Sequence, residues 1–272
     1  MRNPLLALLL VLALGACSTA PVRVDTRYDS VAQGDRVQYL ILHYTVSDFD
    51  ESVYLLAEKG RVSSHYLVRD DPVRVYRLVD ESRMAYHAGR SYWAGAAELN
   101  ASSIGIEIVN PGYVNTPEGR VYAPYPPAQI DTVIRLVKEI VARHGIRPDH
   151  VLGHADIAPG RKQDPGPLFP WKRLAEAGII PWPDPAQVAE RLALYRGQPL
   201  PEVAWFQQKL AAVGYRVPDG GELDEPTRAA ISTFQMKYRP ADIAGEPDAE
   251  TAALLEVATT PGGMRMQAEP GN

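Results

Sequence analysis

Two kinds of hydrophobic pattern divide the chain. From residue 37 to about residue 182, strand-like apolar runs alternate with helical stretches. Residues 37–42 (VQYLIL) form a dense apolar run of the kind a buried strand shows. Residues 64–68 (SHYLV) read as a second strand, and residues 73–78 (VRVYRL) alternate as a half-exposed third. Residues 103–109 (SIGIEIV) read as an apolar strand interrupted by Glu107, and Val151-Leu152 as a short one. A helix is expected over residues 51–59, capped by Asp48 or Asp50 and closed by Gly60. The clearest helix covers residues 127–143. There Ile130, Val133, Ile134, Val137, Ile140 and Val141 recur at helical spacing, and Gly145 and Pro148 stop it. Residues 171–177 form a short helix ended by Gly178. Strands alternating with helices predict an α/β domain over residues 37–182.

After Pro181, Pro183 and Pro185 the pattern turns all-helical. Helices are predicted over 186–195, 203–213, 225–238 and 249–257, which makes residues 186–258 a small all-α domain. Trp205 and Phe206 read as its core. Two stretches echo one another: GELDEPT at 221–227 and GEPDAET at 245–251 each put Gly and an acidic residue ahead of a Thr near a helix start. The Gly/Pro-rich tail, 259–272, is expected to be disordered.

Composition adds an exclusion. The 272 residues are 46% hydrophobic and carry a net charge of −5, which argues against a nucleic-acid binder. The N-terminus reads as a processing signal: Arg2, then an apolar run at 5–14, then Leu14-Gly15-Ala16-Cys17. The run is too short for a membrane-spanning helix and fits a secretory leader. Its end resembles the lipobox of bacterial lipoproteins. That resemblance implies cleavage before Cys17, lipid on Cys17, and, with Ser18 next, an outer-membrane anchor facing the periplasm. Residues 18–36 then serve as a tether. Cys17 is the only cysteine, so the mature fold has no disulfide and no thiolate metal ligand.

Candidate chemistry gathers in the loop 153–171 (GHADIAPGRKQDPGPLFPW), where prolines and glycines limit the freedom of His154, Lys162 and Asp164. His43 ends the first strand. If the strands ending at His43 and His154 are neighbours, both imidazoles meet on one side of a sheet. With Asp164 they make the three protein ligands of a catalytic zinc site. Core histidines satisfied by hydrogen bonds are the alternative. Glu107 is costly in an apolar strand unless it faces a polar cleft, where it can act as a base. Lys162 can place a cation beside a developing oxyanion, or be merely solvated. His144, at a helix end, suits a capping role. Trp93 can stack on a sugar or pack locally.

The stretches ILHYT (41–45), VSSHYLV (62–68), YHAG (86–89), SIGIE (103–107) and the long loop make residues 37–182 similar to the zinc-dependent N-acetylmuramoyl-L-alanine amidases. Peptidoglycan recognition proteins share their fold. The resemblance implies a central mixed β-sheet flanked by helices, and one zinc per chain held by His43, His154 and Asp164. It makes Glu107 the catalytic carboxylate and Lys162 the stabiliser of the transition state. Tyr44, Thr45, His65, His87 and Asn110 are expected to bind substrate, which would be peptidoglycan or muropeptides; for His65 and His87, hydrogen bonds that shape the cleft are the alternative. The helices at 186–258 resemble a peptidoglycan-binding domain, although the usual turn is degraded to Asp219-Gly220-Gly221-Glu222-Leu223-Asp224. The expected protein is a monomeric cell-wall amidase. A recognition protein without catalysis and a peptidase cutting within the stem peptide are the alternatives.

Overall fold

The computed structural model describes residues 21–267; the expected leader with Cys17, and residues 268–272 of the expected disordered tail, lie outside them. The chain divides into residues 1–34 and a body, Asp35–Asn272. In the first part, residues 21–34 are exposed and form no helix or strand.

The body runs β1 (Tyr39–Tyr44), α1 (Phe49–Val53, prolonged by a π-helical turn), β2 (Tyr66–Arg69), β3 (Arg74–Arg77), β4 (Tyr92–Trp93), β5 (Ala96–Ala97) and β6 (Ser103–Ile108). It continues through β7 (Tyr113–Thr116), β8 (Gly119–Tyr122), α2 (Pro127–His144), β9 (Val151–Gly153), α3 (His154–Ile157), α4 (Trp171–Glu176) and β10 (Trp182–Pro183). The last elements are α5 (Pro185–Arg196), α6 (Val203–Val213), α7 (Glu225–Tyr238), α8 (Ala249–Ala258) and β11 (Met264–Arg265). The hairpins β4–β5 and β7–β8 have no counterpart in the hydrophobic pattern, because such short strands show no period.

The central sheet has the order β3-β2-β6-β1-β9. It is mixed: β1 lies parallel to β6 and β9, β2 is parallel to β6, and β3 is antiparallel to β2. Strand side chains alternate between faces, so β6 is not an apolar run with one defect. Ile104, Ile106 and Ile108 face one side, while Ser103, Gly105 and Glu107 face the other. The isoleucines join Leu40, Leu42 and Val68 against Ile130, Val133, Val137 and Ile140 of α2. Gln129 fastens α2 to the sheet by donating to the carbonyls of Val68 and Val109. His144, expected to meet helix carbonyls, instead pairs with Glu81.

The second face is covered by the C-terminal helices. Tyr39, Ile41 and Leu152 share one core with Trp93, Leu99 and Ile157, and with Phe206, Leu210, Phe234 and Leu255. The proline break at 181–185 therefore separates patterns, not cores. Trp93 is buried against the C-terminal helices, edge-on to Tyr215 and against Gly214, where a Cβ would lie 2.8 Å from the indole.

The two echoing stretches are copies of one linkage. Asp224 and Asp248 cap α7 and α8 by accepting from the backbone of Thr227 and Thr251. Gln207 donates to the Thr227 hydroxyl and accepts from the Gly221 amide. Gln235 does the same with Thr251 and Gly245. Residues 259–267 correct an expectation. They are not free of structure: β11 pairs with β10, and Arg265 forms an ion pair with Asp184.

Candidate active site

The site lies at the carboxyl ends of β1, β6 and β9, on the face opposite α2. Register puts Glu107 of β6 beside His43 of β1. Next to β1 on its other side, β9 delivers His154 at the first position of α3. The loop then returns Asp164, whose carbonyl accepts from the Ala155 amide at 2.9 Å.

Three donor atoms converge here. His43 Nδ1 lies 2.9 Å from His154 Nδ1 and 2.9 Å from Asp164 Oδ2, and His154 Nδ1 lies 3.0 Å from Asp164 Oδ2. All three residues are buried. Their protonation follows from the outer partners. The Ser103 hydroxyl gives its proton to the Leu99 carbonyl at 2.6 Å, so it must accept from His87 Nε2 at 3.1 Å. His87 Nδ1 is then an acceptor, and it takes the proton of His43 Nε2 at 3.0 Å. That leaves His43 Nδ1 bare. His154 Nε2 donates to the Ala88 carbonyl at 3.1 Å, which leaves its Nδ1 bare as well. Two imidazole lone pairs and a carboxylate thus face one point, which is the donor set of a metal site.

Electrostatics agree. Burial, and then His154, push His43 down to about 4, so it is neutral at pH 7. Burial, helped by the Asp164 charge and opposed by Lys162, pushes Glu107 well above its ordinary value. Glu107 Oε2 is shut off from solvent and has no hydrogen-bond partner. An unpaired carboxyl of this kind, beside a metal trio, is what proton transfer requires.

The groups open on a cleft of about 200 Å³ that Glu107, His154, Lys162, Asp164, Tyr44 and Thr45 help to line. Of the expected substrate contacts, Tyr44 and Thr45 reach it, and His87 touches it with both ring nitrogens already engaged. His87 therefore orients His43. His65 and Asn110 are corrections. His65 is fully buried, accepts from the Gly105 amide and donates to the Arg83 carbonyl. Asn110 spends its amide on Ala123, Pro124 and Gly112, tying down the β7–β8 hairpin. Both shape the site from behind. Arg161, next to Lys162, donates to the carbonyls of Ala88 and Arg90.

Sequence reasoning missed Ser103 and Gly105, whose signal was the period-two spacing with Glu107. It also missed the apolar rim. Val46, Val62 and Tyr86 line the cleft and are 56%, 47% and 57% exposed. Val46 holds φ +54, a costly conformation for a β-branched residue.

A mixed α/β sheet that carries a metal-ready trio, an unpaired carboxyl and a lysine around an open cleft defines a hydrolase. The chain belongs to the N-acetylmuramoyl-L-alanine amidase family, whose sequence profile matches residues 33–167. A peptidoglycan binding domain profile matches residues 199–255. The chain is 43% identical over 241 residues to N-acetylmuramoyl-L-alanine amidase AmiD of Escherichia coli K12, covering 86% of each sequence. The structure of that AmiD with anhydro-N-acetylmuramic acid-L-Ala-D-γ-Glu-L-Lys superposes with a TM-score of 0.78 at 44% identity, over 86% of this chain and 92% of the other. AmpDh3 of Pseudomonas aeruginosa, in complex with anhydromuramic pentapeptide, superposes at 0.79 with 37% identity, over 87% and 96%.

Gly105 carries a prediction. A Cβ there would sit 2.5 Å from His87 Cγ. Gly105→Ala should therefore displace His87, free His43 Nε2, and weaken metal binding about 10–100-fold in a chelator competition. Unchanged metal affinity would remove His87 from its orienting role.

Proposed function

We infer that the chain hydrolyses the amide bond between N-acetylmuramic acid, or its 1,6-anhydro form, and L-alanine in peptidoglycan, with zinc held by His43, His154 and Asp164. The observation that carries this is the half-buried Glu107, whose Oε2 is closed to solvent and without a hydrogen-bond partner, beside the converging donors. Zinc would suit the set: two imidazole nitrogens and one carboxylate oxygen, 2.9–3.0 Å from one another, are donor types it takes. When bound, zinc supplies a Lewis acid that polarises the carbonyl and lowers the pKa of water to about 7.

The chain's own residues do the rest. Glu107 takes a proton from the attacking water as oxygen bonds to the lactyl carbonyl carbon. It gives that proton to the alanine nitrogen as the C–N bond breaks. Lys162 stabilises the oxyanion that develops between these steps. Tyr44 and Thr45, with the apolar rim of Val46, Val62 and Tyr86, hold the muropeptide. The 14–17 motif supports lipidation at Cys17, and Ser18 after it supports anchorage to the outer membrane with the body in the periplasm. Among the described residues no helix is long and apolar enough to cross a membrane.

Incubation of the full chain with muropeptides should release a peptide that begins at L-alanine, as read by mass spectrometry. A chelator should stop the release and zinc should restore it. Glu107→Gln should lower kcat by about 10²–10⁴-fold and keep zinc. Because Glu107 must be ionised to act and its pKa is raised, activity should fall as pH drops through a limb lying above 4.5. Intact muropeptide with zinc bound would make the chain a recognition protein, and cleavage within the peptide would make it a peptidase. For the anchor, Cys17→Ser should move the chain from the membrane to the soluble fraction. Unchanged sedimentation with membranes would contradict lipidation there.

A further inference from the structure

The C-terminal helices reach the metal trio through a buried charge. Asp156 sits on α3, two residues after His154, and is 2% exposed. Its Oδ2 accepts from the Gly153 amide at 2.8 Å, which fixes the turn that presents His154. The same oxygen pairs at 2.9 Å with Lys237 Nζ of α7. Its Oδ1 accepts from the hydroxyl of Tyr215, just after α6, at 2.7 Å. Lys237 is 9% exposed and lies 4.3 Å from the Trp171 ring centroid, so its position is set by packing as well as charge. The α3 turn also donates from Ala155 to the Asp164 carbonyl. One carboxylate thus anchors the segment that carries one ligand and steadies a second.

We propose that Lys237 and Tyr215 are positioning residues for the metal site: through Asp156 they hold the 153–156 turn so that His154 and Asp164 keep their spacing. The C-terminal helices are then part of the catalytic frame, whatever they bind on the wall. Nothing else in the fold requires a lysine here. An ammonium buried against a sheet face is expensive, and an apolar residue would join the two layers more cheaply. The charge is explained by what Asp156 holds.

This inference rests on the zinc reading, so zinc stoichiometry of the wild-type full chain is measured first. A wild type that binds no zinc overturns that reading and the inference with it. With zinc bound, the zinc dissociation constant is compared by chelator competition in Lys237→Met, Tyr215→Phe and Leu210→Ala. Leu210 lies in the same core and its side chain has no polar atom to bond Asp156, so Leu210→Ala reports the effect of weaker docking. The proposal predicts a rise of about 10-fold or more in the first two. It also predicts a lower kcat at saturating zinc with little change in KM, and no change in zinc affinity for Leu210→Ala despite its lower Tm. If Lys237→Met does not fold, Tyr215→Phe carries the test, since it removes one hydroxyl. Zinc affinity unchanged in Tyr215→Phe and in any folded Lys237 variant, or lowered as much in Leu210→Ala, would leave only a docking role and overturn the proposal.

Discussion

A buried imidazole must account for both of its ring nitrogens, and that requirement organises this molecule. His43 can offer a bare Nδ1 only if its Nε2 proton has somewhere to go. The chain from His43 through His87 and Ser103 to the Leu99 carbonyl is polarised in one direction by that terminal acceptor. His154 solves the same problem with one bond to Ala88. The polar face of β6 follows from this: Ser103 is the relay, Gly105 is the space for His87, and Glu107 is the carboxyl beside His43. Larger or apolar residues at those positions would pack a better strand and leave no site.

The opposite faces of the sheet carry different loads. The α2 face is aliphatic and supplies stability through the packing of Ile, Leu and Val. The other face is apolar along the earlier part of β1 and β9, where Tyr39, Ile41 and Leu152 meet the C-terminal helices, and polar at the carboxyl ends, where the site lies. Ligands of open α/β sheets commonly bind beyond the carboxyl ends of the strands, because side chains there are held rigidly and loops above them are free to vary. Here the helices press on the apolar end of the same face and come within one residue of the ligand turn.

Much of this was legible in the chain itself. The helical stretches and central strands follow from periodicity, and His43, Glu107, His154, Lys162 and Asp164 follow from their places at strand ends and in one constrained loop. What could not be read depends on contacts distant in sequence. His65 and Asn110 looked like cleft residues because they lie within or beside the family motifs, but their nitrogens are taken by backbone groups that no local pattern reveals. The proline break implied two cores, since nothing local shows Phe206 and Phe234 packing with Ile41. Glu107 was noticed as an intruder when it is the third member of an alternating polar row. The Gly-to-Thr echo was visible, and only Gln207 and Gln235 explain it.

The most direct measurement is the structure of the zinc-loaded full chain with anomalous scattering at the zinc edge. The account predicts one zinc bound by Nδ1 of His43, Nδ1 of His154 and an oxygen of Asp164, with the bonds from His43 to His87 and from His154 to Ala88 kept. Zinc bound through Nε2 of either histidine, or elsewhere than this trio, would contradict it.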